Sequence, residues 1–234
     1  MTIVDCSARN PDFQALYEIF RLTLKPDLSF RAFRAYYCSE KLEYIDVTLV
    51  LREGAVIGFC AAAFYVCVID GKKYTIGRAA TGILSAHRGR ALPKWELYKK
   101  YIAYWRRRPF RRIILSAYVA NPLVYAMICK YTGIAYPRRR VHPPGWVLRL
   151  KGSLLRRSRL REVGEFVVEI HFCVQLGDGE QRRIYSSMNP HIRYYLSINP
   201  RFRQQQGVMV IIPVNLMNIV LSAMRFVLSS AKIV

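Results

Sequence analysis

Acidic residues are scarce in this sequence. Fifteen Asp and Glu residues face 37 Lys and Arg residues, for a formal charge of +22 over 234 residues. The shortage is sharpest over residues 88–161, where twenty basic residues accompany a single acid, Glu96. Such a field predicts an anionic partner: nucleotide phosphates, an acidic carrier protein, nucleic acid or an anionic membrane. The alternative is a solvated surface that only maintains solubility.

Disulfide and metal patterns are missing as well. The six cysteines form no Cys-x-x-Cys pair, and several lie in apolar runs such as Phe59-Cys60-Ala61. This predicts buried thiols in a reducing compartment. No spacing of His, Cys and Asp indicates a metal site. The first residues lack a basic start followed by an apolar core, so a cytoplasmic location is predicted.

An uninterrupted membrane-spanning run is also lacking. Residues 207–228 are the most apolar segment, but Pro213, Asn215, Asn218 and Arg225 interrupt it. A spanning helix needs about 20 predominantly apolar residues. We therefore expect a buried or interfacial helix here, with peripheral association with an anionic membrane as a further expectation.

Hydrophobic residues make up 53% of the chain, and their spacing predicts both helices and strands. Glu53-Gly54 and Asp70-Gly71 predict the turns of a three-stranded meander. The predicted helices are 11–24, 29–38, 93–105 and 121–131, and the predicted strands are 47–52, 56–69, 74–85 and 111–119. A meander followed by alternating helices and strands indicates an α/β fold.

The proline-rich segment Val141-His142-Pro143-Pro144-Gly145 predicts a boundary. We accordingly divide the chain into a core over residues 1–140 and an extension over residues 141–234. Within the extension, 146–150 and 163–176 are predicted strands, 177–179 a turn, and 188–206 a polar, aromatic and basic segment.

The most informative stretch runs from Thr81 to Pro93, where a strand ends, a glycine follows a basic residue and a helix begins. Unpaired N–H groups and the helix dipole favour an anion at such a position. Gly89 allows close approach of the backbone, and Arg88 and Arg90 add charged donors. The pattern predicts a phosphate-binding turn.

Together with the stretch from Leu115 to Gly133, this turn resembles the GNAT superfamily of acyl-CoA N-acyltransferases. In that family a strand enters a Gln/Arg-x-x-Gly-x-Gly/Ala turn, and a later strand leads to an Asn that opens a helix. Arg88, Gly89, Ala91 and Asn121 match, whereas Ala86 stands where Gln or Arg is usual. The helix end Lys130-Tyr131-Thr132-Gly133 is also similar, although Ile134 replaces Phe. The resemblance covers about residues 11–137.

The resemblance implies a mixed central sheet flanked by helices, to which the chain adds a C-terminal extension of strands and helix. It also implies acyl-CoA or acyl-phosphopantetheine as co-substrate, with no tightly bound cofactor. The residues expected to bind the donor are Leu84, Ser85, His87, Arg88, Gly89, Arg90, Ala91, Leu92 and Asn121.

The same family chemistry needs an acid for the leaving thiolate and a base for the attacking amine. Tyr125 is the first candidate acid and Tyr131 the second, although both tyrosines could serve packing alone. Alternation along the predicted strand 163–176 puts Glu169 and His171 on one face, as a candidate base and its neighbour. Such a face is more often simply solvated. The intermediate's oxygen is expected to bind a backbone N–H near Leu84 or Ser85.

These features predict transfer of an acyl group from acyl-CoA or an acidic acyl carrier protein to an amine. The amine would belong to a small molecule, peptide or protein, and the apolar extension favours a fatty acyl chain. A non-catalytic binding module of the same fold is one alternative. The other is a tRNA-associated protein, because Tyr101, Tyr104 and Trp105 precede three arginines, but no recognised nucleic-acid motif is present.

Overall fold

The computed structural model describes residues 11–24, 29–37, 42–87, 94–158, 160–170 and 176–230. The predicted phosphate-contacting residues Arg88–Leu92 and the candidate His171 therefore lie outside the described residues. Eight α-helices and seven strands are described. The helices are α1 (Pro11–Thr23), α2 (Phe30–Tyr37), α3 (Lys94–Arg107), α4 (Pro122–Tyr131), α5 (Gly145–Ser158), α6 (Asp178–Tyr185), α7 (Pro190–Ile198) and α8 (Leu216–Ser230). The strands are β1 (Leu42–Arg52), β2 (Ala55–Ile69), β3 (Lys72–Ile83), β4 (Arg112–Val119), β5 (Glu162–Gly164), β6 (Val167–Glu169) and β7 (Gln206–Val214).

The chain forms two compact units, Met1–Ile113 and Ile114–Val234. Each contains sheet strands and flanking helices, which confirms the predicted α/β fold class with a C-terminal part of strands and helices. The predicted division at residue 140 concerns functional domains and stays a prediction.

The first unit contains the predicted antiparallel meander β1-β2-β3. Both turns have the expected positive φ values, with Glu53 and Gly54 at 51° and 81° and Asp70 and Gly71 at 49° and 70°. Two successive left-handed residues match the twist of a hairpin, which explains why Gly follows an acid at each turn.

Helix α1 covers this meander with an apolar face. Phe13, Leu16 and Ile19 are buried at helical spacing, and Phe20 packs on Phe59 of β2 with ring centroids 5.6 Å apart. The approach leaves no room beside Gly82, because a Cβ there would lie 2.2 Å from Thr23 Oγ1.

Helix α3 is attached to the meander by stacking and by a buried ion pair. The Tyr104 ring stacks on Phe64 of β2 at 3.8 Å between centroids. The Lys100 ammonium binds the Asp46 carboxylate of β1, and both side chains are almost completely buried.

In the second unit the hydrogen-bonded strand order is β4-β7-β6-β5, so the last strand of the chain lies inside the sheet. β6 pairs antiparallel with both β5 and β7. Val208, Met209, Val210 and Ile211 of β7 are fully buried.

Several predictions for the extension were wrong. Residues 146–150 belong to helix α5, and two residues of the turn predicted over 177–179 open helix α6 instead. Residues 190–198, for which neither helix nor strand was predicted, form α7. Residues 207–228 are not one helix but strand β7 followed by α8. The spacing of apolar residues in a short run does not distinguish a strand from a helix, so pairing in the sheet decided which of the two formed.

The predicted strand over residues 163–176 is likewise wrong where it is described. A turn at Glu165 and Phe166 separates β5 from β6, with Phe166 at a φ of 61°. Alternation therefore does not run unbroken from Glu165 to Glu169. The predicted shared face of Glu169 and His171 lies partly outside the described residues and stays a prediction.

Asp46→Asn tests the buried ion pair. The substitution leaves the Lys100 ammonium buried without a countercharge, so we expect the free energy of unfolding to fall by about 3–5 kcal/mol. Urea denaturation measures this value. The matched control is Glu53→Gln, which breaks the exposed Arg52–Glu53 pair and should cost at most about 1 kcal/mol. Equal losses in the two variants would refute the role of the pair.

Candidate functional site

The predicted donor turn begins where β3 ends. Strand β3 stops at Ile83, a short 3-10 helix covers Ser85–His87, and α3 begins at Lys94. The order strand, turn, helix is therefore as predicted. The imidazole Nδ1 of His87 is buried and has no hydrogen-bond partner in the described structure. A buried polar atom without a partner is unusual and marks a place for a ligand or water.

The backbone just after β3 contains the two candidate oxyanion donors, the N–H groups of Leu84 and Ser85. The Leu84 N–H donates to the Ile57 carbonyl of β2 at 3.0 Å, so it is already occupied. The Leu84 carbonyl also accepts from the His87 N–H at 2.9 Å, which closes the turn.

Asn121 caps helix α4. Its Oδ1 accepts from the Leu123 N–H at 2.9 Å, and Pro122 occupies the first helical turn. The predicted helix-opening asparagine is thus confirmed as a cap, whereas its contact with a donor stays a prediction.

Tyr125 lies in the interior of the second unit. The side chain is fully buried, its hydroxyl donates to the Pro137 carbonyl at 2.8 Å, and its ring lies 5.4 Å from that of Tyr195. Burial raises the pKa of the Tyr125 phenol, and the neighbouring Cys129 raises it further. These contacts describe a packing role; the role of acid stays a prediction.

Tyr131, the second candidate acid, is the last residue of α4 and is half-buried. Its ring lies 5.8 Å from Phe226 of α8, and the Lys130 ammonium lies 5.0 Å from the ring centroid. The ammonium makes a cation–π contact with the ring, and the role of acid stays a prediction.

Glu169 ends strand β6 and borders an open cavity of about 580 Å³ in the second unit. Its carboxylate pairs with the Arg161 guanidinium at 3.5 Å and is 45% exposed. The cavity wall is mostly polar, since Arg161, Glu162, Arg201 and Gln206 also line it. Such a wall suits a charged ligand better than an acyl chain.

Arg138, Arg225 and His191 lie together in the second unit, and the sequence did not single them out as site residues. Arg138 donates to three carbonyls at the end of α4, and Arg225 to two of them. The available sequence signals were the run Arg138-Arg139-Arg140 and the single charge within α8.

None of the helices in the described ranges combines the length and hydrophobicity that crossing a bilayer requires. No group of three or more His, Cys, Asp and Glu residues in those ranges is placed to hold a metal ion.

No protein-family model and no curated protein sequence matches the chain. Among solved structures it is similar to an acetyltransferase from Vibrio fischeri, at 15% identity over 46% of this chain and 90% of that one, with a TM-score of 0.32. It is similar to the NatC complex bound to Gag peptide and CoA at 15% identity, over 92% of this chain and 97% of that chain, with a TM-score of 0.40. It is similar to aminoglycoside 6'-N-acetyltransferase complexed with coenzyme A at 10% identity, over 91% of this chain and 97% of that chain, with a TM-score of 0.38. At these TM-scores the likenesses assign neither family nor activity.

Tyr125→Phe tests the packing role of the Tyr125 hydroxyl. The change leaves the buried Pro137 carbonyl without its donor, so we expect a loss of about 1–3 kcal/mol in the free energy of unfolding. Tyr131→Phe is the comparison, because it keeps the ring on Phe226 at a less buried position, and its loss should be smaller. Thermal and urea unfolding of both variants measure the difference; a larger loss in the Tyr131 variant contradicts this account.

Proposed function

We propose that this protein is an acyltransferase that moves an acyl group from acyl-CoA or an acyl carrier protein to an amine. The observation that carries the proposal is the order of strand β3, 3-10 helix and helix α3, with the buried His87 Nδ1 lacking a hydrogen-bond partner among the described residues. Together with Arg88 and Arg90 in sequence, this supplies donors for a pyrophosphate or phosphopantetheine phosphate.

The chemistry proposed for these residues is direct transfer. The amine nitrogen attacks the thioester carbonyl, a tetrahedral oxyanion forms, and the C–S bond breaks as the thiolate takes up a proton. Backbone N–H groups at the end of β3 would stabilise the oxyanion. Ser85 is the proposed donor, because the Leu84 N–H already donates to the Ile57 carbonyl.

Proton transfer is proposed for the candidate acids and base that the sequence singled out. Tyr131 and Tyr125 are the proposed acids, with Tyr131 preferred because it is half-buried whereas Tyr125 is fully buried. Glu169 is the proposed base, since its carboxylate borders an open polar cavity that suits an amine. His171 keeps its predicted role as neighbour of that base.

Charge reversal tests the donor turn. Arg88→Glu and Arg90→Glu should each raise the dissociation constant of acyl-CoA at least about tenfold, because a charge-assisted hydrogen bond contributes roughly 1.5–3 kcal/mol. Isothermal titration calorimetry measures this constant. The matched control is Lys72→Glu, which makes the same charge change at the opposite end of β3, where Lys72 is exposed. Equal weakening by all three variants would show that only net charge matters.

The identity of the acyl group is a separate proposal. We expect a fatty acyl chain, because the extension over residues 141–234 is rich in apolar residues. Mass spectrometry of amine mixtures incubated with acetyl-, octanoyl- and hexadecanoyl-CoA measures both transfer and chain preference. Sole use of acetyl-CoA removes the long-chain proposal, and donor binding without transfer to any amine supports the non-catalytic alternative.

Peripheral binding to an anionic membrane is proposed for helix α8. Its large exposed apolar side chains lie on one side of the helix and are between 48% and 66% exposed. They are Leu216, Met217, Val220, Met224, Val227 and Leu228. At about 100° per residue they cover an arc of about 120°. The net charge of +22 disfavours a second copy of the chain on this face and favours an anionic surface.

Flotation with vesicles tests this surface. The double variant Met217→Glu/Met224→Glu should reduce partitioning onto phosphatidylglycerol vesicles at least about tenfold, because two charges must leave water with the helix face. The control is Leu22→Glu/Leu51→Glu, which makes the same charge change at exposed apolar positions of the first unit. Equal partitioning of the two variants would exclude α8 as the membrane surface.

A further inference from the structure

Two arginines compete for the same backbone carbonyls at the C-terminal end of helix α4. Arg138 Nη2 donates to the Cys129 carbonyl at 2.9 Å, and its Nη1 donates to Gly133 at 3.0 Å and Thr132 at 3.3 Å. Arg225 Nη1 donates to Thr132 at 2.6 Å and to Cys129 at 3.4 Å. Sharing two acceptors brings the two guanidinium groups close together.

The carbonyls do not neutralise this charge. A helix C-terminus carries only about half a negative charge, whereas two guanidinium groups carry two positive charges. Within the ranges that the structure describes, neither Arg138 nor Arg225 forms an ion pair with a carboxylate. Burial lowers the pKa of Arg225, and the nearby guanidinium of Arg138 lowers it further.

Arg225 keeps donors for a ligand. A guanidinium has five N–H groups in a planar fork, and only Nη1 of Arg225 donates to described residues. Both Arg138 and Arg225 are half-buried, while the neighbouring Arg139 is exposed. The positive charge is therefore reachable from solvent.

His191 adds an independent observation at the same place. It lies in the first turn of α7, and its Nδ1 is buried with no hydrogen-bond partner in the described structure. Helix α7 packs on α4, since the rings of Tyr194 and Tyr195 lie 6.3 and 5.4 Å from that of Tyr125. Burial lowers the pKa of His191, and the positive charges of Arg138, Arg225 and Arg139 lower it further. The positive end of the α7 dipole lies at the same turn.

We infer that Arg138, Arg225 and His191 form a binding site for a phosphate group. Guanidinium forks bind phosphate oxygens in pairs of hydrogen bonds, and a protonated Nδ1 of His191 would donate to a third oxygen. All three residues belong to the second unit, and the inference stands without the proposed acyl transfer. The phosphate could be inorganic, or it could belong to a nucleotide such as the ribose 3'-phosphate of CoA.

The test is a titration with inorganic phosphate at constant ionic strength, in which NMR monitors the resonances of the His191 imidazole. The wild-type protein should bind phosphate at this ring with an upward shift in the His191 pKa, since an anion offsets the arginine charges. Arg225→Gln should weaken this binding at least tenfold, and Arg225→Lys should fall between, because a lysine keeps the charge without the fork.

Arg193→Gln is the matched control. Arg193 is an exposed arginine of the same helix as His191, and its loss lowers the net charge equally. The inference is overturned if Arg225→Gln leaves the phosphate affinity at His191 unchanged. It is also overturned if Arg193→Gln reduces that affinity as much as Arg225→Gln does. If Arg225→Gln does not fold, His191→Gln serves as the second variant, with phosphate affinity measured by calorimetry and the same tenfold expectation.

Titrations with CoA and with dephospho-CoA, which lacks the ribose phosphate, identify the source. If Arg225→Gln weakens CoA binding and leaves dephospho-CoA binding unchanged, the site takes the ribose phosphate. If it weakens inorganic phosphate binding alone, the site takes a free phosphate or that of another molecule. If neither CoA nor inorganic phosphate binding changes, the site does not exist.

Discussion

The shortage of carboxylates is the constraint on which much of this structure depends. Few acids must serve 37 cations, so the buried and half-buried ones are heavily used. Glu43 holds both Arg108 and Arg111 and accepts from the Tyr104 hydroxyl, and Asp46 holds the buried Lys100. These pairs attach α3 to β1 in the first unit. Removing one partner of such a pair is costly because a charge is then left in a poorly solvating interior.

The second unit satisfies its cations differently. Arg138 and Arg225 bind the carbonyl groups that end helix α4, where the helix dipole supplies partial negative charge. Asn218 completes this joint, because its side chain accepts from the Ile134 N–H and donates to the carbonyls of Ile134 and Pro213. With Ser222 bound to the Gly133 N–H, Asn218, Ser222 and Arg225 of α8 face the protein interior, and the large apolar residues from Leu216 to Leu228 named above stay exposed. Polar docking and an exposed apolar face are thus two consequences of one helix orientation.

Prediction from the sequence succeeded where the signal is local. The turns at Glu53-Gly54 and Asp70-Gly71 and the Asn121 cap depend on backbone conformations that few residue types adopt. It failed where pairing partners decide the outcome. Residues 207–214 are apolar enough for a buried helix, yet they form the interior strand β7 because β4 and β6 flank them. Residues 146–150 have no such neighbours and form the start of α5 instead.

The sequence by itself determined the α/β class, the meander, the strand-to-helix turn near His87 and the excess of positive charge, because each follows from composition or short-range spacing. Only the tertiary structure decided that Tyr125 is buried against Pro137 and that Glu169 borders a polar cavity. It alone placed His191 beside Arg138 and Arg225, from three segments up to 87 positions apart in the sequence. Burial and electrostatic fields depend on all neighbours in space, and no local pattern carries that information.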